Sequence, residues 1–183
     1  MSQTPDINAV MQAYRSFPEG FQSLQLATCS SHGEPEASYA AYVEFEGCYY
    51  IYTSELSAHT RNLGQTGRCS VMFIESEADA QHLFARKRLT LQCGVTECPR
   101  NTAEFDAMMD RFAEKFGKFM DMLRKLEDFH LYRLRPVSGG YVAGFAQAYT
   151  LEGPDLKLVH HRQEQGHRSP DKATVHGAMN TGS

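Results

Sequence analysis

Nowhere does the 183-residue chain sustain 18 consecutive apolar positions, and its opening stretch, MSQTPDINAVMQAYRSF, has no basic segment leading into an apolar one. The first absence excludes a membrane-spanning helix and the second a secretory leader, so a soluble, unexported, cytoplasmic protein with no membrane partner is expected. Positive charge is not in excess either. Eighteen Lys and Arg against 22 Asp and Glu leave a net charge of −4, which offers no field for a polyanion and speaks against nucleic acid as a partner. The five cysteines (Cys29, Cys48, Cys69, Cys93, Cys98) are odd in number and none stands in C-x-x-C spacing. That excludes a disulfide framework and a thiolate zinc site and fits a reducing compartment. No G-x-G-x-x-G is present, since GYVAGF has the wrong spacing, so a dinucleotide fold is not indicated.

What is present is a β-rich chain of one core. Ile7, Val10, Met11 and Tyr14 recur at helical intervals and predict a short amphipathic helix. From Phe21 onward FQSLQLATCS, ASYAAYVEFEG and CYYIYTS are aromatic and β-branched with polar alternation, separated by reversals at Gly33 and Gly47, which predicts an antiparallel meander. SELSAHTRNLGQTG predicts a short helix capped by Ser54 and closed by Gly64 and Gly67. RCSVMFIES and HLFARKRLTLQCGVTEC predict two more strands. Between Thr102 and Leu123 apolar residues return every three or four positions, predicting one long helix with Thr102 as N-cap. DFHLYRLRP and GGYVAGFAQAYTL complete the strands. The expected fold is mainly β (α+β): a small antiparallel barrel of six to seven strands with peripheral helices, spanning 1–153. Residues 154–183 form a polar tail holding four of the eight histidines, His160, His161, His167 and His176.

Several segments could carry chemistry. Arg86 and Arg88 in FARKRLTL are two apart, hence on one face of a strand, where they could fork onto a phosphate or carboxylate or simply guard a solvated edge. His59, Arg61 and Asn62 lie near the start of the short helix, a place for anions or for ordinary surface polarity. Asp128 could cap, be solvated, or accept a proton from an imidazole. In the tail, His160 and His161 are adjacent and His167 follows six later, so no i,i+4 zinc pair exists, and a single axial imidazole suits the spacing better than a cage.

Taken together, SELSAHTRNL, FARKRLTLQCGV, DFHLYRLRPVSGGYVAGFAQAY and the histidine tail resemble the haem utilisation proteins of the HugZ and HutZ type, over about Phe21 to His167. The resemblance implies the FMN-binding split β-barrel of the pyridoxamine-phosphate-oxidase-like superfamily, a homodimer with its ligand at the subunit interface, and haem as cofactor. It implies oxidative degradation of haem to release iron, with an external electron donor and a haem-delivery protein as partners. It assigns the site arginine to Arg88, the aspartate that orients the axial ligand to Asp128, and the axial histidine to His167, with His176 as rival. The ancestry leaves an FMN oxidoreductase open, with Ser54, His59, Arg61, Asn62, Arg86 and Arg88 around the flavin phosphate, and a non-catalytic haem carrier remains a further alternative.

Overall fold

A computed structural model describes residues 6–162. Eight strands form one antiparallel sheet: β1 (Ser23–Cys29), β2 (Pro35–Phe45), β3 (Cys48–Ser54), β4 (Arg68–Ile74), β5 (Arg88–Cys98), β6 (Phe129–Gly144), β7 (Gln147–Glu152) and β8 (Leu158–His161). They lie in the order β3-β2-β1-β4-β5-β6-β7-β8, and β3 also pairs with β6. That extra pairing closes the first six strands into a barrel. The split comes from β6. Its first part pairs with β3, through Ser54↔Phe129 to Tyr49↔Leu134, and its last part pairs with β7, while β5 runs beside it throughout. At the change of partner the β5–β6 register slips beside Pro136, where the missing proline N–H makes a regular ladder impossible.

Alternation explains the interior. In β1 every second side chain is buried, and Leu24 and Leu26 meet Ile51, Val71, Phe73, Leu89, Leu91 and Leu134 inside the barrel. A second apolar cluster lies outside it. There α3 (Ala103–Phe116) lays Phe105, Met108, Met109 and Phe112 against Val43, Tyr50 and Leu131 of the sheet. Cys69 and Cys93 face each other across β4 and β5, and the described cysteines are all free thiols.

The structure corrects three local expectations. The long helix breaks at Gly117, whose φ of 82° and ψ of −170° no helix accommodates, so α3 ends there and α4 (Phe119–Leu123) follows; Thr102 is the N-cap, accepting from the Phe105 N–H. Ser54 does not cap α2 (Ala58–Thr66): it is the last residue of β3, and α2 begins after Ser57. The strand expected from His82 begins only at Arg88, after a 3-10 turn at Leu83–Ala85, so Arg86 and Arg88 do not share a strand face. Beyond residue 154, Leu158–His161 pairs with β7 and supplies an eighth strand. No helix among the described residues is long and apolar enough to cross a membrane.

Candidate functional site

Beyond the barrel, strands β5 to β8 leave one sheet surface open. Residues directly opposite each other in neighbouring strands project from the same side. One row therefore runs Arg88, Val142, Ala148 and continues to Arg162, whose N–H donates to the Ala148 carbonyl at 2.8 Å. The next row runs Thr90, Gly140, Thr150, His160. Arg88, Val142 and Arg162 of the first row and Thr90, Gly140 and Thr150 of the second line a cleft of about 410 Å³. The row between them, Leu89, Tyr141, Tyr149 and His161, faces the other way, and its first three members belong to the core.

This alternation sorts the first two tail histidines. His161 packs its ring 5.0 Å from that of Tyr149 and its Nε2 lies 3.3 Å from the Ala146 carbonyl. Its Nδ1 is buried without a partner among the described residues. His160 faces the open side and is exposed. His167 and His176 lie outside the described residues.

The remaining expected site residues fall into two separate groups. Ser54 Oγ donates to Asp128 Oδ2 at 3.0 Å, and the Asp128 carbonyl accepts the Glu55 N–H at 2.8 Å, so these two are brought together at the start of β6. Arg88 pairs with Val142 near the other end of that strand. One chain does not bring Asp128 and Arg88 together. Nor does it assemble a flavin-phosphate cradle. Asn62 is only 2% exposed, and its Nδ2 donates to Thr28 Oγ1 at 3.1 Å and Glu36 Oε2 at 3.2 Å. His59 is buried beside the same carboxylate, and burial holds its pKa below the usual imidazole value against the pull of Glu36. Arg86 is spent on the Glu75 carbonyl and on Glu77, 3.5 Å away. The Glu36 carboxylate beside Asn62 and His59 repels a phosphate, and the Arg86 guanidinium is already paired.

Near Asp128 stands a clamp with no counterpart among the sequence expectations. His130 places Nδ1 2.7 Å from Glu97 Oε1 and Nε2 2.8 Å from Glu55 Oε1. Two carboxylate acceptors, one on each ring nitrogen, favour the doubly protonated imidazolium. The hydrogen bonds to Glu97 and then Glu55 raise its pKa above the ordinary 6.5. A folded pKa above the unfolded one contributes stability below the unfolded value and loses it as pH rises through the folded value. His130→Gln is therefore expected to cost about 1 kcal/mol near pH 6, the scale of two partly exposed ion pairs, and almost nothing near pH 9. Urea denaturation at both pH values checks this, and an equal cost at the two would remove the clamp from the account.

A larger cavity, about 1180 Å³, lies where α1 (Ile7–Ser16) approaches the β2–β3 hairpin. Its rim mixes Arg15, Arg135 and Lys157 with Glu19, Glu44, Glu46 and Asp155, so it offers no cationic surplus, and none of the expected site residues lines it. The Arg88 face is the better site for an anionic ligand.

Comparison with known proteins agrees with this architecture. Residues 10–143 match the pyridoxamine 5'-phosphate oxidase family. The haem oxygenase HutZ of Vibrio cholerae serotype O1 is 39% identical over 155 residues, which is 84% of this chain and 87% of that protein. A crystal structure of HutZ, described as the haem storage protein of Vibrio cholerae, superposes with a TM-score of 0.65 at 36% identity over 68% of this chain and 88% of that one. Campylobacter jejuni ChuZ superposes with a TM-score of 0.80 at 32% identity over 91% of this chain and 68% of that one. The six-stranded closed barrel with two added strands is the split barrel of these proteins. The chain belongs to the pyridoxamine 5'-phosphate oxidase family, among the relatives of the haem oxygenase HutZ.

Proposed function

We propose that the chain binds haem against the Arg88 face and degrades it oxidatively to release iron. The observation that carries this reading is the face itself: a cleft bordered by two guanidiniums with no acid partner among the described residues, floored by Gly139 and Gly140. Such a surface fits a flat ligand with anionic edges. β8 forms its margin, and the histidine-bearing tail departs from that strand. His167 follows Arg162 by five residues, a tether of at most about 17 Å, so an imidazole at that position is within reach of the cleft.

In this reading His167 would hold the haem iron, and Asp128 would accept the hydrogen bond from the other ring nitrogen of His167 and so strengthen its donation. Ser54 leaves Asp128 free for that role by engaging Oδ2 alone. Because Asp128 and Arg88 sit near opposite ends of β6, the site is completed by a second copy of the chain, which makes the working unit a homodimer. Bound haem supplies the redox chemistry with oxygen and electrons from an external donor, and the protein supplies orientation, axial donation and access. The names borne by HutZ, haem oxygenase and haem storage protein, frame the choice between turnover and storage. An FMN enzyme is disfavoured by the internal use of Asn62, His59 and Arg86.

Haemin titration tests cofactor and ligand together. Wild type is expected to give a stoichiometric Soret band that decays with ascorbate in air and releases chelatable iron. His167→Ala should lose the native spectrum, and Asp128→Asn should keep binding but change the decay rate about tenfold or more. No stoichiometric haem spectrum would sink the haem reading, a stable complex under ascorbate would assign storage, and loss of the spectrum in His176→Ala alone would move the ligand to His176.

A further inference from the structure

Arg162 is anchored at one end of its side chain and unspent at the other. Its Nε donates to Thr150 Oγ1 at 2.8 Å and its backbone N–H to the Ala148 carbonyl at 2.8 Å, so β7 holds both the strand end and the root of the guanidinium. No carboxylate among the described residues forms an ion pair with it. Its terminal nitrogens lie over Gly140: a Cβ placed on that glycine would stand 3.0 Å from Nη2. The bare glycine leaves the space that the guanidinium occupies.

Across the cleft Arg88 is similarly available, with one hydrogen bond of 3.3 Å to the Arg86 carbonyl and no acid partner among the described residues. The two arginines end one row, three strand spacings or roughly 14 Å apart across the sheet. Hydroxyls of Thr90, Ser138 and Thr150 line the space between, and Glu152, the sole acid of that lining, pairs with neither. A guanidinium whose plane is already fixed by a hydroxyl loses little freedom on binding and matches the two oxygens of a carboxylate.

We infer that Arg162, lying in the space left by Gly140, binds a propionate carboxylate of the porphyrin, so that the cleft selects porphyrins with free carboxylates. This rests on the haem reading above. It also gives the short eighth strand a purpose: β8 carries the binding guanidinium to the open face.

The test uses two ligands that differ only at the propionates, haemin and haemin dimethyl ester, titrated into the full-length wild type and Arg162→Gln. The variant is expected to bind haemin about tenfold more weakly, the scale of one lost charge-assisted contact, and the ester as wild type does. Gly140→Ala keeps the charge but displaces the guanidinium, and should weaken haemin in the same direction while sparing the ester. Arg162→Lys should recover part of the loss. Equal weakening of both ligands would make Arg162 a strand-end tether, and no weakening of either would make it a bystander; both outcomes overturn the inference. Citrate is the control for a free carboxylate: binding of citrate to wild type that is lost in Arg162→Gln, without haemin–ester discrimination, would also overturn it. A wild type that binds neither porphyrin removes the haem reading itself, whereas binding of both without dependence on Arg162 removes only the inference.

Discussion

Gly139→Ala is expected to destabilise the fold by about 3 kcal/mol and to lower the melting temperature by roughly 10 °C, whereas Gly140→Ala beside it should leave stability nearly unchanged. The two glycines are neighbours in sequence and point to opposite sides of β6. A Cβ on Gly139 would stand 2.7 Å from the Thr90 carbonyl oxygen and 2.9 Å from Leu91 Cδ2, with Leu151 behind at 3.7 Å. The nearest of these is backbone in the strand paired with β6, so relief requires the β5–β6 pairing to widen. A Cβ on Gly140 meets the far end of a flexible arginine on the open face, which moves at little cost to the fold. Chemical denaturation of the two variants separates the cases. A Gly139→Ala protein within 1 kcal/mol of wild type would show that the two strands are less closely packed than described.

The same pair shows what sequence makes legible. GG before an apolar run announces close approach, but which glycine serves the core and which serves the face depends on the strand's phase, and Pro136 and its register slip reset that phase. Barrel, meander and capped helix were legible because each rests on local periodicity: alternating Leu24 and Leu26, or Phe105, Met108, Met109 and Phe112 behind Thr102. The helix break was less so, since Phe116, Phe119, Met120 and Leu123 keep helical spacing straight across Gly117. Arg86 was misplaced because its partners, the Glu75 carbonyl and Glu77, come from the far side of a loop. The eighth strand was hidden for a related reason: LVHH is short and polar, and it becomes a strand because β7 offers an unpaired edge. Arg162 could have been suspected only by counting two residues from His160 along a strand that nothing local announces.

The site residues themselves illustrate a further limit. Asp128 and Arg88 were assigned by resemblance to one ligand, yet β6 carries their neighbourhoods to its opposite ends. Spacing in sequence does not show how far apart β6 holds two residues; that separation is what the proposed two-copy site rests on. It also follows that perturbing one end should leave the other intact, and this separability makes binding and turnover independent readouts.

Arg100→Met is expected to lower stability by about 3 kcal/mol and to slow ascorbate-driven haem decay by about tenfold, with haemin affinity preserved in the folded fraction. Arg100 is one guanidinium serving a whole turn. Nη1 donates to the Arg124 carbonyl at 2.9 Å, and Nη2 donates to the Tyr52 hydroxyl at 2.8 Å, to the Phe129 carbonyl at 3.0 Å and to the Leu126 carbonyl. Its plane lies 5.2 Å from the Phe105 ring centre. These bonds tie residues 124–129, and with them Asp128, to β3 and α3. Methionine keeps the apolar stem but leaves three carbonyls without their donor, and the turn then opens to water to satisfy them. Asp128 would lose its fixed approach, while Arg88 and Arg162 near the distant end of β6 would not move. Parallel loss of affinity and decay would contradict that separation, and a variant as stable as wild type would show that the turn is held by other means. Arg100→Lys, which can reach one or two of the four acceptors, should fall between the two.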